Sequence, residues 1–435
     1  MRKVGLYTLG CKVSQYETEA IGEAFEARGF EVAPFDSVCD AYVINTCTVT
    51  AESDRKSRQI VRRAISRNPS AVVAVVGCYS QRAPEELLKI KGVDIVIGTA
   101  GKLDVVGRVE FMLDNPTEKA YSSVEELDRA LFEPMTITRA PRTRAYVKIE
   151  DGCESKCTYC AISPARGRVR SKLPEEVISE VEGLYKSGTR EIVLTGIETG
   201  SYGRDFDFDY DLGDLIVELE RRGSCERIRL GSLAPELIGK KFVDKVKGCK
   251  ILAPHFHLSI QSGSDNVLRG MKRRYSRAMA LANIAYIKEN IPDAQFTTDL
   301  MVGFPGESEE DFLDTVSFAK EARFIDAHVF AYSRREGTPA AYYDGQIPEP
   351  VKKERSRRLI KAKNEIRDSV LGGIVSIGAP LSVVLETFDG QRYSAHSESF
   401  VEVSVEGPEG LQGEIVEVIP ISHSDGIILG KPINC

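Results

Sequence analysis

The chain has 435 residues, 42% hydrophobic and 28% charged, which suits two or three globular domains with substantial cores. No apolar run is long enough to cross a bilayer, and the first residues lack the apolar stretch and cleavage site of a secretory signal. A cytosolic, reducing location with no membrane partner is therefore expected. Ten cysteines in such a setting point to metal binding or catalysis rather than disulfides, and a net charge of -7 excludes a uniformly basic nucleic-acid binder.

Residues 3–10 read as a short apolar strand and 14–29 as a helix stopped by Gly29. A weaker strand near Phe30 precedes a clear one at 41–47. A charged helix, 52–68, ends at Pro69. Residues 71–78 are apolar throughout, as in a parallel sheet covered on both faces, and 94–98 form another strand. Residues 1–113 thus predict an N-terminal open parallel α/β sheet. Mixed charge and weak periodicity make 114–138 a linker.

A second alternation fills 139–370. Strands are expected at 144–150, 191–196, 227–233, 255–263, 295–302 and 326–333, with helices at 174–187, 212–222, 235–247, 276–290 and 308–322. Six such units predict a partial (βα)6 barrel, since closure takes eight. A basic helix, 351–370, ends this domain. Residues 371–435 change to short strands and Gly turns, which predicts a small all-β barrel.

The strongest chemical signal is Cys153, Cys157 and Cys160 at CxxxCxxC spacing, just past the first barrel strand. Three thiolates in one loop can each bind one iron of a cubane, leaving the fourth iron open to an outside ligand. The alternatives are three buried cysteines or a zinc site short of a ligand, for which no partner CxxC or HxxxH lies nearby. Cys11, Cys47 and Cys78 are far apart in sequence, yet each ends a predicted strand, two of them beside Gly10 and Gly77. In an open parallel sheet those ends share one edge, where ligands bind, so a second cluster could form there; the alternative is again three buried cysteines. Cys39, Cys225, Cys249 and Cys435 lack such a setting.

The CxxxCxxC loop resembles the radical S-adenosylmethionine superfamily, and the two cysteine sets together resemble its methylthiotransferase family. The likeness covers nearly the whole chain: CAISPARGRVRS (160–171), LTGIETGSYG (194–203), HLSIQSGS (257–264), TDLMVGFPGE (298–307) and the segment 332–340. The opening TLGCKVSQYETE (8–19) is similar to the branch acting on threonylcarbamoyladenosine beside the tRNA anticodon, with Ser14 where Asn is expected and Glu198 where His or Asn is common. The resemblance implies two 4Fe-4S clusters, two molecules of S-adenosyl-L-methionine per turnover, and a TRAM-type barrel at 371–435. Cys153, Cys157 and Cys160 would hold the catalytic, radical-generating cluster. Cys11, Cys47 and Cys78 would hold the cluster that carries sulfur. A methylthio group would replace a hydrogen on the adenine ring. Partners implied are tRNA, an electron donor such as flavodoxin or ferredoxin, and a sulfur donor. The same chemistry on isopentenyladenosine tRNA or a ribosomal protein, or a non-catalytic metal-containing RNA-binding protein, are the rival functions.

Other positions carry weaker expectations. Thr195 and Gly196 at a strand end could approach the methionine amine, Gln261 and Ser262 the ribose, and Gly303 the adenine; plain strand-to-loop turns are the alternative. Arg166, Arg168 and Arg170 could meet a substrate carboxylate, or form a solvated charge run. For RNA, residues 352–367 hold eight Lys or Arg against two Glu, and Arg269, Lys272, Arg273, Arg274 and Arg277 form a second run. The last 65 residues hold two basic against nine acidic, so the small barrel would have to bind RNA by stacking through Tyr393, His396 or Phe400, or else serve as a wall over the site.

Overall fold

Six parallel strands form the first sheet in the computed structural model, which describes residues 1–118 and 120–433. They are β1 (Lys3–Thr8), β2 (Glu31–Ala33), β3 (Ala41–Thr46), β4 (Val72–Gly77), β5 (Ile95–Ile97) and β6 (Tyr121–Ser123), in the order β2-β1-β3-β4-β5-β6. The apolar runs of β3 and β4 are buried throughout, because α1 (Lys12–Ala27) and α2 (Ala51–Arg67) and their neighbours cover the sheet. Helix α2 starts where the Thr50 side chain accepts from Ser53 N, with Glu52 and Asp54 in its first turn. Two short helices, α3 (Cys78–Arg82) and α4 (Pro84–Leu88), and a longer α5 (Asp104–Asp114) complete the layer. Weak periodicity predicts a linker at 114–138, but this segment supplies β6, which pairs with β5 in register Ile95↔Tyr121. Three polar residues, YSS, give no strand pattern; backbone pairing to an existing edge forms the strand.

The next strands are β7 (Arg144–Lys148), β8 (Glu150–Asp151), β9 (Arg170–Ser171), β10 (Glu191–Thr195), β11 (Arg227–Leu230), β12 (Ser232–Leu233), β13 (His255–Gln261), β14 (Gln295–Val302) and β15 (Asp326–Ala331). The short helix α6 (Ile162–Arg166) lies between β8 and β9. Chain contacts divide the molecule into two compact units: Met1–Ile137 with Glu150–Lys172 and Ser333–Ala341, and Thr138–Ile149 with Leu173–Tyr332 and Tyr342–Cys435.

In the second unit, β7, β10 and β11 form one parallel sheet and β12 to β15 another. The strand expected over 227–233 is broken at Gly231, whose N–H turns to Leu194 O at 2.8 Å. The six expected barrel strands are thus present, but two are split: 227–233 at Gly231, and 144–150 at Ile149, after which β8 pairs with β9 instead. Helices alternate with them and are capped as their sequences dictate. Asp211 and Asp214 form a capping box at Leu212–Arg222, as do Ser308 and Asp311 at Glu309–Ala322. The basic helix runs Glu349–Ile377, seven residues past the expected end, until left-handed Gly378 stops it. The tail closes into a five-stranded barrel, β16 (Leu381–Phe388), β17 (Arg392–Ser397), β18 (Glu402–Glu406), β19 (Ile415–Ser424) and β20 (Ile427–Pro432), around Val383, Leu385, Tyr393, Val403 and Val418.

That barrel is joined to the parallel strands by buried charge. Glu191 is fully buried and meets Arg144 at 2.9 Å, Arg229 at 2.8 Å and Arg227 at 3.3 Å. Arg229 donates on to the carbonyls of Ser397 and Glu398, and Arg144 pairs with Glu386. Phe400 stacks on His255 and lies beside His396 and Arg229. Tyr393 is buried and donates to Pro408 O. The rings proposed for stacking on RNA are therefore engaged inside this unit.

Candidate metal centre

Both cysteine sets lie in the first unit. Strands β1, β3 and β4 are neighbours, with Thr8 opposite Asn45 and Thr46 opposite Gly77. Cys11, Cys47 and Cys78 therefore follow the C-terminal ends of three adjacent strands. Gly77 has φ +101°, and a Cβ there would stand 2.4 Å from Asn45 Oδ1, so glycine alone lets the chain turn into Cys78. Asn45 in turn donates to Ser14 O at 3.0 Å, tying the start of α1 to β3.

Cys11 is exposed, while Cys47 and Cys78 are buried. Burial pushes the Cys47 thiol up to about 11, and the nearby Cys78 and Cys11 push in the same direction. The Cys78 thiol is also raised by burial, against the pull of Arg166 and Lys102. Arg166 Nε donates to Cys78 Sγ at 3.2 Å. Three soft donors, of which burial keeps Cys47 and Cys78 protonated in the protein alone, with two cations beside Cys78, suit an iron–sulfur group, which removes the protons and brings negative charge.

Among the described residues no three His, Cys, Asp or Glu side chains are grouped to hold a single metal ion. The thiolates of a cubane each bind a different iron and stand wider apart than ligands of one ion.

The second set sits in a loop held by its own hydrogen bonds. Cys153 N donates to Gly167 O at 3.0 Å, Cys160 N to Cys157 O at 3.1 Å, and Ser163 Oγ to Cys153 O at 2.6 Å. Ile162 N donates to Cys160 Sγ at 3.3 Å. The antiparallel pair β8–β9 closes the base of the loop. A Cβ on Gly152 would fall 1.9 Å from Arg168 O, so that closure requires glycine. Cys157 is buried, and Cys153 and Cys160 are half-buried.

The three arginines after this loop part company. Arg166 is fully buried, with Nη1 on Glu17 Oε1 at 2.6 Å, Nη2 on Glu17 Oε2 at 3.2 Å, and Nη1 on Asp151 Oδ2 at 3.1 Å. Burial opposes its charge, but Asp151, Cys78 and Glu17 hold it protonated. A guanidinium so committed does not suit the substrate carboxylate assigned to it from sequence. Arg168 is exposed. Arg170 is 4% exposed, 3.6 Å from Asp151, and its Nε and Nη1 are buried with no hydrogen-bond partner among the described residues.

Of the remaining expected positions, all in the second unit, Thr195 and Gln261 end β10 and β13, and Gly196, Ser262 and Gly303 follow the ends of β10, β13 and β14. Gln261 has φ +66°, unusual for a side-chain-bearing residue. Ser262 Oγ lies 3.1 Å from Thr315 Oγ1 and receives Ser264 N, and Gly303 N donates to Glu307 Oε2 at 2.9 Å. The hydroxyl and the amide expected at the ribose and adenine are thus engaged within the protein.

Sequence reasoning missed Glu17, Lys102 and Asp151. One signal existed: Glu17 stands in the buried stripe of α1 with Val13, Tyr16, Ala20 and Ile21, a charge where an apolar residue belongs. It also missed the trio beyond Cys47, where Arg335 Nη2 donates to Thr48 Oγ1 at 2.8 Å and to Asp54 Oδ2 at 2.7 Å. Nor are the basic runs bare. Lys352 and Arg355 are buried, and Arg357, Arg358, Lys363 and Arg367 pair with Glu354, Glu309 and Asp326.

Two family models match the chain, the Radical SAM superfamily over residues 147–319 and the Uncharacterized protein family UPF0004 over 3–98. The threonylcarbamoyladenosine tRNA methylthiotransferase MtaB of Bacillus subtilis is 39% identical, covering 96% of this chain and 93% of that protein. Its namesake in Aquifex aeolicus is also 39% identical, over 82% and 87%. The tRNA-2-methylthio-N(6)-dimethylallyladenosine synthase of Desulfitobacterium hafniense is 33% identical, over 99% and 97%. The fold is similar to that of the radical S-adenosylmethionine methyltransferase TsrM of Kitasatospora setae, at TM-score 0.58 and 14% identity, covering 84% of this chain and 89% of that one.

Proposed function

The chain belongs to the radical S-adenosylmethionine tRNA methylthiotransferase family, and within it we propose that this protein converts threonylcarbamoyladenosine next to the tRNA anticodon to its 2-methylthio derivative. Membership implies S-adenosylmethionine and a four-iron cluster. No helix among the described residues is long and apolar enough to cross a membrane. The observation that carries the substrate is the grading of its relatives. Three named for threonylcarbamoyladenosine are 37–39% identical, and five named for dimethylallyladenosine are 32–35% identical.

In this reading Cys153, Cys157 and Cys160 hold one cluster and Cys11, Cys47 and Cys78 the other. Bound there, the two supply an electron for cleaving S-adenosylmethionine and sulfur for transfer. The protein's own work is placement. The bonds from Cys153 N and Cys160 N fix the loop, and the strand ends fix the other three thiols. The threonine carboxylate of the substrate needs a cation as it leaves water. Arg170 fits that need best of the three arginines, because two of its buried nitrogens have no hydrogen-bond partner among the described residues.

The test is anaerobic turnover of the reconstituted protein on anticodon stem–loops carrying threonylcarbamoyladenosine or isopentenyladenosine. Methylthiolation of the first alone is expected, and equal reaction with both overturns the substrate assignment. Arg170→Ala should lose the first reaction while still cleaving S-adenosylmethionine; full activity in that variant removes Arg170 from the site.

A further inference from the structure

We infer that Arg166 is a positioning residue for the set Cys11, Cys47 and Cys78: its Nε–H donates to the Cys78 sulfur and raises the reduction potential of the cluster held there. The inference rests on the two-cluster reading above.

Four buried charges meet around Cys78. Arg166, Glu17 and Lys102 have fully buried side chains, and that of Asp151 is 4% exposed. Glu17 takes the fork of Arg166 and also Lys102 Nζ at 2.6 Å. Buried charges are expensive unless paired, and this cage is close to neutral. Pairing of the carboxylates uses the two Nη nitrogens, and the third nitrogen is aimed at sulfur, 3.2 Å away. A hydrogen bond to a ligand sulfur withdraws electron density and favours the more negative, reduced state, as hydrogen bonding and net charge set cluster potentials generally.

The three thiols of the set are not equivalent in this respect. Cys11 faces the Ser14 hydroxyl at 3.7 Å, and Cys47 has backbone and hydroxyl neighbours at Val49 and Ser53. Cys78 receives a charged donor. That donor closes α6, the short helix that begins two residues after Cys160, and the preceding Ala165 carbonyl is pinned by Thr99 Oγ1 at 2.7 Å. The segment carrying one cysteine set thus delivers the donor to the other. Lysine could not replace it, because one ammonium cannot fork onto Glu17 and reach the sulfur together.

The test uses the full chain with Cys153, Cys157 and Cys160 changed to Ala, reconstituted anaerobically, and redox titration followed by electron paramagnetic resonance. Adding Arg166→Lys should lower the midpoint potential, with the reduction equilibrium falling about tenfold, equivalent to about 59 mV for one electron. Adding Glu17→Gln instead keeps the N–H···S bond, removes a negative charge, and should raise the potential. General loosening of the fold would move both in one direction. Unchanged potentials, or shifts of the same sign, overturn the inference. Should Arg166→Lys lose its iron, Glu17→Gln still decides, and no rise there overturns it. Absence of any cluster from the parent triple variant would instead refute the two-cluster reading.

Discussion

Glu198, three residues past the end of β10, offers a sharp test of the electrostatics inside the second unit. It is 6% exposed, and burial pushes its carboxyl from an ordinary 4.5 up to about 7, although Ala234 N–H at 2.9 Å and Arg273 pull the other way. At about 1.36 kcal/mol per pH unit, ionising it in the folded protein costs roughly 3 kcal/mol more than in the unfolded chain. Between pH 4.5 and 7 the folded state holds a proton that the unfolded chain has released. This contribution to stability is therefore complete below pH 4.5 and is lost as pH rises to about 7. Glu198→Gln keeps an oxygen to accept from Ala234 and cannot ionise. The variant should lie within about 1 kcal/mol of the parent at pH 5 and exceed it by up to roughly 3 kcal/mol at pH 8. The sequence has no tryptophan, so urea unfolding is followed by circular dichroism, at both pH values and without oxygen. Other titrating groups cancel in the difference between variant and parent. A difference that stays constant from pH 5 to 8 would show that Glu198 is ionised throughout and that the argument from burial is wrong.

Three further outcomes are expected. Changing Cys153, Cys157 and Cys160 to Ala should leave about four irons per chain of about eight, and iron analysis of the unmodified protein showing a single cluster refutes the second site. Changing Cys39, Cys225 and Cys249 to Ala should leave iron content and turnover intact; burial, helped by Glu220 and Glu226, pushes the Cys225 thiol up to about 12, and loss of a cluster would mean the ligands were misassigned. Cys435 belongs to the same group by sequence and lies outside the described residues. Glu191→Gln should cost about 3–5 kcal/mol at neutral pH, because it strands the buried Arg227 and Arg229 and the half-buried Arg144. Burial alone would raise the Glu191 carboxyl, but Arg229 and Arg144 hold it near 2, so this contribution is present above pH 4.5 and fades as pH falls toward 2. A loss under 1 kcal/mol in urea unfolding would contradict this.

The architecture was legible wherever burial writes a pattern. The apolar runs of β3 and β4 and the alternation of strands and helices after residue 139 gave the parallel sheets, and the Gly-punctuated tail gave the closed barrel. The strand-end positions of Cys11, Cys47 and Cys78 were legible for the same reason, since each follows a strong strand. Strand β6 was not, because edge pairing of Tyr121–Ser123 leaves no periodicity. Nor was the role of Arg166, whose partners Glu17 and Cys78 lie 149 and 88 residues away. Charge runs misled most: a local count cannot tell Arg355, buried on Glu307, from an arginine open to phosphate.

Methylthiolation of threonylcarbamoyladenosine has a direct readout in the tRNA of the cell itself. Mass spectrometry of nucleosides from total tRNA of a strain lacking the gene tests it most directly, with the intact gene and a Cys78→Ala gene supplied back. Loss of 2-methylthio-threonylcarbamoyladenosine, accumulation of its precursor, and restoration by the intact gene alone are expected. An unchanged level of that nucleoside, or loss of the methylthio-isopentenyladenosine derivative in its place, would contradict it.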